Sequence, residues 1–358
     1  MSDPARPPLF LCVAPSGLEP ALSAFRHAMG DKPFDLFDES SQGGEPDFAN
    51  RRAVVDLGGW ARRAHTSRAV EGGVEFWHVL GYGLDHLDLQ YLLEHGVTVA
   101  HTPGSCSAIS LAEHAVLLML SCSRHMREQA ANLEAGVFYH PWTHEIAGQR
   151  LLLLGVGASG RELAVRAAAF QMEIVGVDVN IPRESEYKAM GISSVSSPDA
   201  LGELLPTADV ISLHLPLTRE THHVLSADAF ALVKPSVIVI NVARGALIDE
   251  QALLAALDEG RVAAAGLDVF EGENLGRAPD ITRHPHVVAT PHTAGVVFET
   301  AGRRSQLVVD NLTRLERGEA VQHQVSAGND FLAGAASHGA AASAAASGTQ
   351  QDSKGGRS

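Results

Sequence analysis

The chain has 358 residues, enough for two domains at roughly 100 to 200 residues each and for a sizeable core. Its 27 Lys and Arg stand against 42 Asp and Glu, and the resulting net charge of −15 repels a phosphate backbone, which argues against nucleic acid as a partner. Apolar content of 45% with 19% charged residues is that of a globular protein rather than a disordered one, and the oddity is eighteen histidines against three cysteines.

The opening M-S-D-P-A-R-P-P has an acid and three prolines where a signal peptide needs a basic stretch leading into an apolar run. Later apolar segments are interrupted, for instance by Glu113 and His114, short of the roughly 18 residues a membrane span needs. Cys12, Cys106 and Cys122 share no metal-ligand spacing and sit in or beside apolar stretches, which suits small core residues in a reducing compartment. The expectation is a cytoplasmic protein without membrane partner, disulfide or metal.

In chain order, apolar β-rich runs at Leu9 to Val13, Ala53 to Leu57, Val74 to Leu80 and Val97 to Ala100 alternate with helical stretches such as Asp85 to His95. Gly96 closes that helix, and the alternation predicts an α/β unit with a mostly parallel sheet. From Ser107 to about Leu133 the pattern turns helical, with Ile109, Ala112, Val116, Met119 and Leu120 on one face. Six further strands are predicted at Leu151 to Leu154, Ile174 to Val177, Val210 to Leu213, Val237 to Ile240, Ala263 to Leu267 and Val287 to Ala289. Helices such as Asp249 to Glu259 lie between them, so this half reads as a doubly wound sheet. A last helix runs from about Ala301 to Arg317, and the small-residue tract from Phe331 onward reads as a disordered tail.

The strand at Leu151 runs into Gly155-Val156-Gly157-Ala158-Ser159-Gly160 and then into a helix. Gly155 permits the tight turn, Gly157 admits a pyrophosphate, Gly160 lets helix and strand pack closely, and the helix N-terminus offers unpaired N–H groups to the anion. A second strand ends in Asp178, whose carboxylate suits a ribose diol and repels a 2′-phosphate. Dinucleotide binding follows, with NAD favoured over NADP, although Arg183 lies nearby.

Ligands of such sheets lie beyond the carboxyl ends of the strands, and three places there carry chemistry. They are Asn241-Val242-Ala243-Arg244-Gly245, Asp268-Val269-Phe270-Glu271-Gly272-Glu273 and Thr290-Pro291-His292-Thr293-Ala294-Gly295. An arginine, a glutamate and a histidine therefore converge on one sheet edge, with Glu271 and Glu273 both open as the histidine's partner.

These motifs, with His214 to Thr221 (H-L-P-L-T-R-E-T), Leu80 to Asp88 (L-G-Y-G-L-D-H-L-D) and Val99 to Gly104 (V-A-H-T-P-G), resemble the D-isomer-specific 2-hydroxyacid dehydrogenase family in one order over about residues 50 to 325. The resemblance implies two doubly wound parallel-sheet domains, one Rossmann-like and one flavodoxin-like, about an interdomain cleft. The substrate-binding domain would comprise residues 1–106 and 297–330, and the NAD-binding domain residues 107–296. It implies that Arg244 binds the substrate carboxylate, that His292 is the acid/base with Glu273 as partner, and that Asp268 orients the nicotinamide carboxamide. Gly81, Tyr82 and Gly83 would form the substrate loop. Tyr82, Ala158, Ser159, Leu215, Val242, Ala243, Arg244, His292 and Gly295 would join the glycines and Asp178 around the cofactor. A homodimer through the cofactor domain and the helix from Ser110 is implied as well.

The chemistry agrees with these roles. Hydride transfer to a 2-oxo carbon creates an alkoxide that needs a proton from a group titrating near neutrality, and an adjacent carboxylate favours the imidazolium. Three departures bear on the substrate: Asn274 stands where proline is frequent, and His86 and His101 replace frequent asparagines. Phosphate-recognising members commonly have arginine after the strand equivalent to Ala53 to Val55. Here Asp56-Leu57-Gly58-Gly59-Trp60 follows, with Arg62 and Arg63 further on, so the expected substrate is a small or apolar 2-oxoacid. Phosphite oxidation and a non-enzymatic NAD-binding corepressor are the rival functions, since both keep the same triad. Formate oxidation is disfavoured because that branch uses glutamine where Glu273 stands.

Overall fold

A computed structural model describes residues 11–14, 19–38, 46–57, 63–84, 87–273 and 277–326. The tail from Phe331, the departures at His86 and Asn274, and Gly58, Gly59, Trp60 and Arg62 lie outside these residues. The described chain divides into two compact units. One holds the residues before 102, except Glu19–Gly30, together with those from Asn311 onward; the other holds Glu19–Gly30 and Thr102–Asp310. Helix α1 (Glu19–Met29) thus belongs to the second unit.

The first unit is a five-stranded sheet of β1 (Leu11–Ala14), β2 (Asp35–Asp38), β3 (Ala53–Asp56), β4 (Phe76–Val79) and β5 (Thr98–His101). The order is β2-β1-β3-β4-β5 and every pairing is parallel. Helices α2 (Arg63–Glu71) and α3 (Leu89–Glu94) provide crossovers, and Asp88 caps α3 by accepting the Tyr91 amide. Its core gathers Phe48, Val54, Trp77, Val79, Leu92 and Val99. Strand β2 was absent from the sequence reading because D-L-F-D is short and flanked by acids.

The second unit begins with α4 (Ala108–Ser123) and α5 (Met126–Glu134). The single helix expected from Ser107 to Leu133 is two, because His125 takes a left-handed φ of 50° that no helix continues through. Strands β6 (Arg150–Leu154), β7 (Glu173–Val177), β8 (Ile192–Ser196), β9 (Val210–Leu213), β10 (Val237–Asn241), β11 (Val262–Leu267) and β12 (Val287–Ala289) follow. Seven strands replace the six expected: β8, I-S-S-V-S, is a polar edge strand without an apolar run to reveal it. The sheet order is β12-β11-β10-β9-β6-β7-β8, parallel throughout. The connecting helices are α6 (Ala158–Ala169), α7 (Glu184–Ala189), α8 (Leu201–Leu204), α9 (Ala227–Leu232) and α10 (Glu250–Asp258). Helix α11 (Phe298–Arg317) comes last, three residues earlier than Ala301, where the sequence reading started it.

Both faces of this sheet are covered, as parallel sheets require. Leu152 and Leu154 point into one core with Ile211, Val239 and Leu267, whereas Leu151 and Leu153 point into the other with Ala112, Leu118, Leu163 and Ile240. Helix α4 seats closely on β11 because Gly266 has no side chain: a Cβ there would lie 2.8 Å from Leu118 Cβ and 3.3 Å from Cys122 Sγ. The chain enters at β6, builds β7 and β8 on one side, then returns to β9 on the other. That reversal creates a crevice beyond the carboxyl ends of β6 and β9, the usual ligand position in such sheets. The unit boundaries fall after residues 101 and 310 rather than 106 and 296. Residues Gly104–Cys106 form a turn running directly into α4, and the start of α11 is tied to α4 by Ser110 Oγ and Thr300 Oγ1 at 3.2 Å.

Candidate active site

At the head of the crevice, Gly155 adopts a φ of 101°, and a Cβ on it would lie 2.6 Å from the His214 carbonyl oxygen and 3.2 Å from Leu215. A Cβ on Gly160 would lie 2.1 Å from the Gly155 oxygen, so the α6 to β6 packing needs glycine there. Gly157 differs, since a Cβ on it would project into open space. That space adjoins the start of α6, where no side chain caps the first-turn amides at Ala158 and Ser159. Open room beside unpartnered N–H groups fits a pyrophosphate.

Asp178 follows β7 and folds back onto this turn. Its Oδ2 accepts the Val156 amide at 2.7 Å and its Oδ1 the Asn180 amide at 2.8 Å, which holds the carboxylate beside the Gly-rich loop. A further support, His214, went unassigned in the sequence. Its ring hydrogen-bonds Ser159 Oγ and Ser212 Oγ, both at 3.0 Å, and burial pulls its pKa down to about 4, so it is a neutral strut under the turn.

The second group of residues is built from the ends of β10, β11 and β12. Buried Asn241, also missed, shapes the turn after β10: its Oδ1 accepts the Ala243 amide at 3.0 Å and its Nδ2 donates to the Arg244 carbonyl at 2.8 Å. Val242, Ala243 and Arg244 are presented by that turn, and Arg244 Nη1 donates to the Ala243 carbonyl at 2.7 Å. A Cβ on Gly245 would overlap Phe270 C at 1.9 Å, so this turn and the loop carrying Glu273 are in backbone contact.

Asp268, fully buried, organises the loop after β12. Its oxygens accept the Thr290 hydroxyl at 2.6 Å and the Thr293 and Ala294 amides at 2.8 Å each, while His114 Nε2 lies 2.8 Å from Thr290 Oγ1. Its carboxylate is thus engaged in positioning the histidine loop, a geometry the resemblance to a carboxamide-binding aspartate did not anticipate. His292 tops this loop in a left-handed conformation, φ 55°, which costs a non-glycine residue energy and is held by the Asp268 carbonyl accepting its amide at 2.8 Å.

His292 Nδ1 lies 2.9 Å from Glu273 Oε2, and Glu273 Oε1 accepts the Phe270 amide at 3.1 Å. Glu271, the alternative partner, instead meets His223 Nε2 at 3.0 Å. Burial works to raise the Glu273 pKa. The hydrogen bond and charge of His292, the Phe270 amide and the Arg244 charge outweigh it and hold the carboxyl below the ordinary carboxylate range. With Nδ1 occupied, the Nε2 side of His292 is the one left for a reacting oxygen. Separately, His222, His223 and Glu271 bring one ligand atom each within 4.8 Å of one another, a grouping outside the expectation of no metal.

Gly81, Tyr82 and Gly83 lie in the first unit, just past β4. There His101 Nδ1 bonds the Tyr82 carbonyl at 3.0 Å, so the histidine that departs from the usual asparagine serves as a brace for this loop. No described helix is long and apolar enough to cross a membrane.

Two parallel doubly wound sheets, a dinucleotide turn and a histidine paired with a carboxylate at the strand ends define an NAD-binding dehydrogenase fold. Residues 116–294 match the NAD-binding domain of the D-isomer specific 2-hydroxyacid dehydrogenases. The D-3-phosphoglycerate dehydrogenase of Methanocaldococcus jannaschii is 36% identical over 255 residues, covering 70% of this chain and 47% of that protein. The chain thus spans about half the length of that relative. The glyoxylate reductase of Korarchaeum cryptofilum is 34% identical over 243 residues, 66% of this chain and 71% of that one. Among solved structures, the Aquifex aeolicus D-lactate dehydrogenase complexed with NAD and lactic acid superposes with a TM-score of 0.74 at 26% identity, over 87% of this chain and 96% of that one. The chain belongs to the D-isomer-specific 2-hydroxyacid dehydrogenase family, and its cofactor is NAD.

Proposed function

We propose that this family member interconverts a 2-oxoacid and the corresponding D-2-hydroxyacid. The observation that carries the reading is the 2.9 Å pair of His292 and Glu273 on the same sheet edge as Arg244. NAD supplies the hydride acceptor or donor. The Arg244 guanidinium grips the substrate carboxylate, for which its fork geometry is suited. His292 Nε2 gives a proton to the carbonyl oxygen as it becomes an alcohol and takes it back in the reverse direction, while Glu273 fixes the ring through Nδ1. Gly81, Tyr82 and Gly83 belong to the same proposal as the substrate loop, with the first unit as substrate-binding domain.

A cytoplasmic homodimer is part of the reading. Leu117, Leu133, Phe138, Tyr139 and Trp142 are exposed along and after α4 and α5, an apolar surface of the kind that pairs with another subunit, and Cys106 and Cys122 are free thiols. The test is NADH consumption across a panel of 2-oxoacids and phosphite with NAD, with Arg244→Ala alongside. The expected result is turnover of at least one 2-oxoacid, with kcat/KM lost in the variant. Phosphite oxidation alone, or NAD binding with no turnover, would overturn the proposal.

A further inference from the structure

Arg304 is a charged group that neither the fold nor the site described above employs. It sits within α11, largely enclosed, and its Nε is buried without a hydrogen-bond partner. A guanidinium carries five donors and does not lose its charge in proteins, so leaving one unmatched inside the fold is costly. Neighbouring Arg303 shows the contrast: its Nε donates to the Cys106 carbonyl at 2.8 Å and its Nη2 to Thr300 Oγ1 at 3.2 Å. Arg304 makes no such bond and no ion pair among the described residues.

Its surroundings deepen the imbalance. The groups that act on its charge are Cys106, Arg244 and Arg303, two of them cations and none a carboxylate. Burial above all lowers its pKa; Cys106 opposes that, and the repulsion from Arg244 and Arg303 adds to it. Its Nη2 comes within 3.5 Å of where a Cβ on Gly295 would stand, in the loop that carries His292. The chain carries a net charge of −15, yet among the described residues no acid pairs with this cation, which feels the charge of Arg244.

We propose that Arg304 binds a second anionic group on the substrate, so that this site takes 2-oxoacids with two negative groups, a dicarboxylate or a phosphorylated carboxylate, in preference to small or apolar ones. The inference rests on the 2-oxoacid reading of the site. It replaces the expectation of a small or apolar 2-oxoacid, because Arg304 of α11 supplies a cation for a second anion.

The test compares pyruvate, oxaloacetate and phosphohydroxypyruvate as substrates of the wild type, Arg304→Gln and Arg304→Lys at saturating NADH. A charge-assisted hydrogen-bonded contact predicts a kcat/KM advantage of roughly 10- to 100-fold for one or both dianionic substrates over pyruvate. Arg304→Gln should erase that advantage, with the pyruvate value falling far less, and Arg304→Lys should keep part of it. The better of the two dianions identifies the second group as carboxylate or phosphate. An equal loss for all three substrates in Arg304→Gln would mean that Arg304 shares the one carboxylate or only supports the fold, and would overturn the proposal, as would a wild type that prefers pyruvate. If no 2-oxoacid is turned over, the function reading fails. The anion site is then judged by calorimetric titration of the NAD-loaded protein with malonate and acetate: tighter malonate binding lost in Arg304→Gln upholds it, and equal binding overturns it.

Discussion

His78, in the centre of β4, makes the acid stability of the first unit calculable. Burial, reinforced by the charges of His101 and His323, pulls its pKa from 6.5 down to about 3. The unfolded chain therefore binds a proton at this residue between those two pH values while the folded chain does not, so stability rises with pH across that window and is complete above about 6.5. At pH 4.5 the folded state has lost RT ln(1 + 10²), about 2.7 kcal/mol, of stability through this residue alone. His101, also shifted down, mainly by burial, adds in the same direction. Replacing His78 with leucine removes the titration and its partnerless Nε2, and it leaves Asn311 Nδ2 donating to the Gln322 carbonyl at 2.9 Å. Urea unfolding followed by Trp77 fluorescence, with Trp60 and Trp142 changed to phenylalanine, would report on this unit between pH 7 and 4.5. The stability lost on acidification should shrink by about 2.7 kcal/mol in His78→Leu and not vanish, because His101 remains. Equal losses with and without His78 would refute the reasoning.

Four further outcomes are predicted. Gly160→Ala places a methyl 2.1 Å from the Gly155 oxygen and should weaken NADH binding, read by fluorescence titration, roughly 10- to 100-fold. Asp268→Asn sets an amide nitrogen against the Thr293 or Ala294 amide and should cost the second unit about 2 to 3 kcal/mol in urea unfolding, with kcat falling as the His292 loop is released. His292→Asn should lower kcat roughly 10²- to 10⁴-fold in both directions, read in steady-state NADH assays with NADH binding retained. Because His292, the Phe270 amide and Arg244 together outweigh burial and hold Glu273 below the ordinary carboxylate range, the wild-type reduction profile should show no acid limb from it within that range.

Most of the candidate site was legible because its markers follow apolar strands directly. The Gly155 to Gly160 turn after β6, Asp178 after β7, Arg244 after β10 and His292 after β12 each occupy a strand end, and a strand end can be read from a short run of residues. The elements missed, β2 and β8, are short or polar edge strands whose pairing comes from a neighbour rather than from their own composition. The break at His125 depends on one left-handed residue with no glycine to announce it.

Fold class, cofactor type and the candidate site residues were therefore carried by local pattern: strand and helix periods, glycine spacing, and residue chemistry at strand ends. Partnerships were not. The choice of Glu273 over Glu271 for His292, the neutral His214 beneath Ser159, Asn241 shaping the arginine turn, and Asp268 holding the histidine loop all arise between residues that only the folded sheet brings together. Arg304 is the clearest case. Along the chain it is one more basic residue on an amphipathic helix, and its meaning comes from the lack of a carboxylate partner among the described residues. A charge shows its lack of a partner only in the folded arrangement of the residues around it.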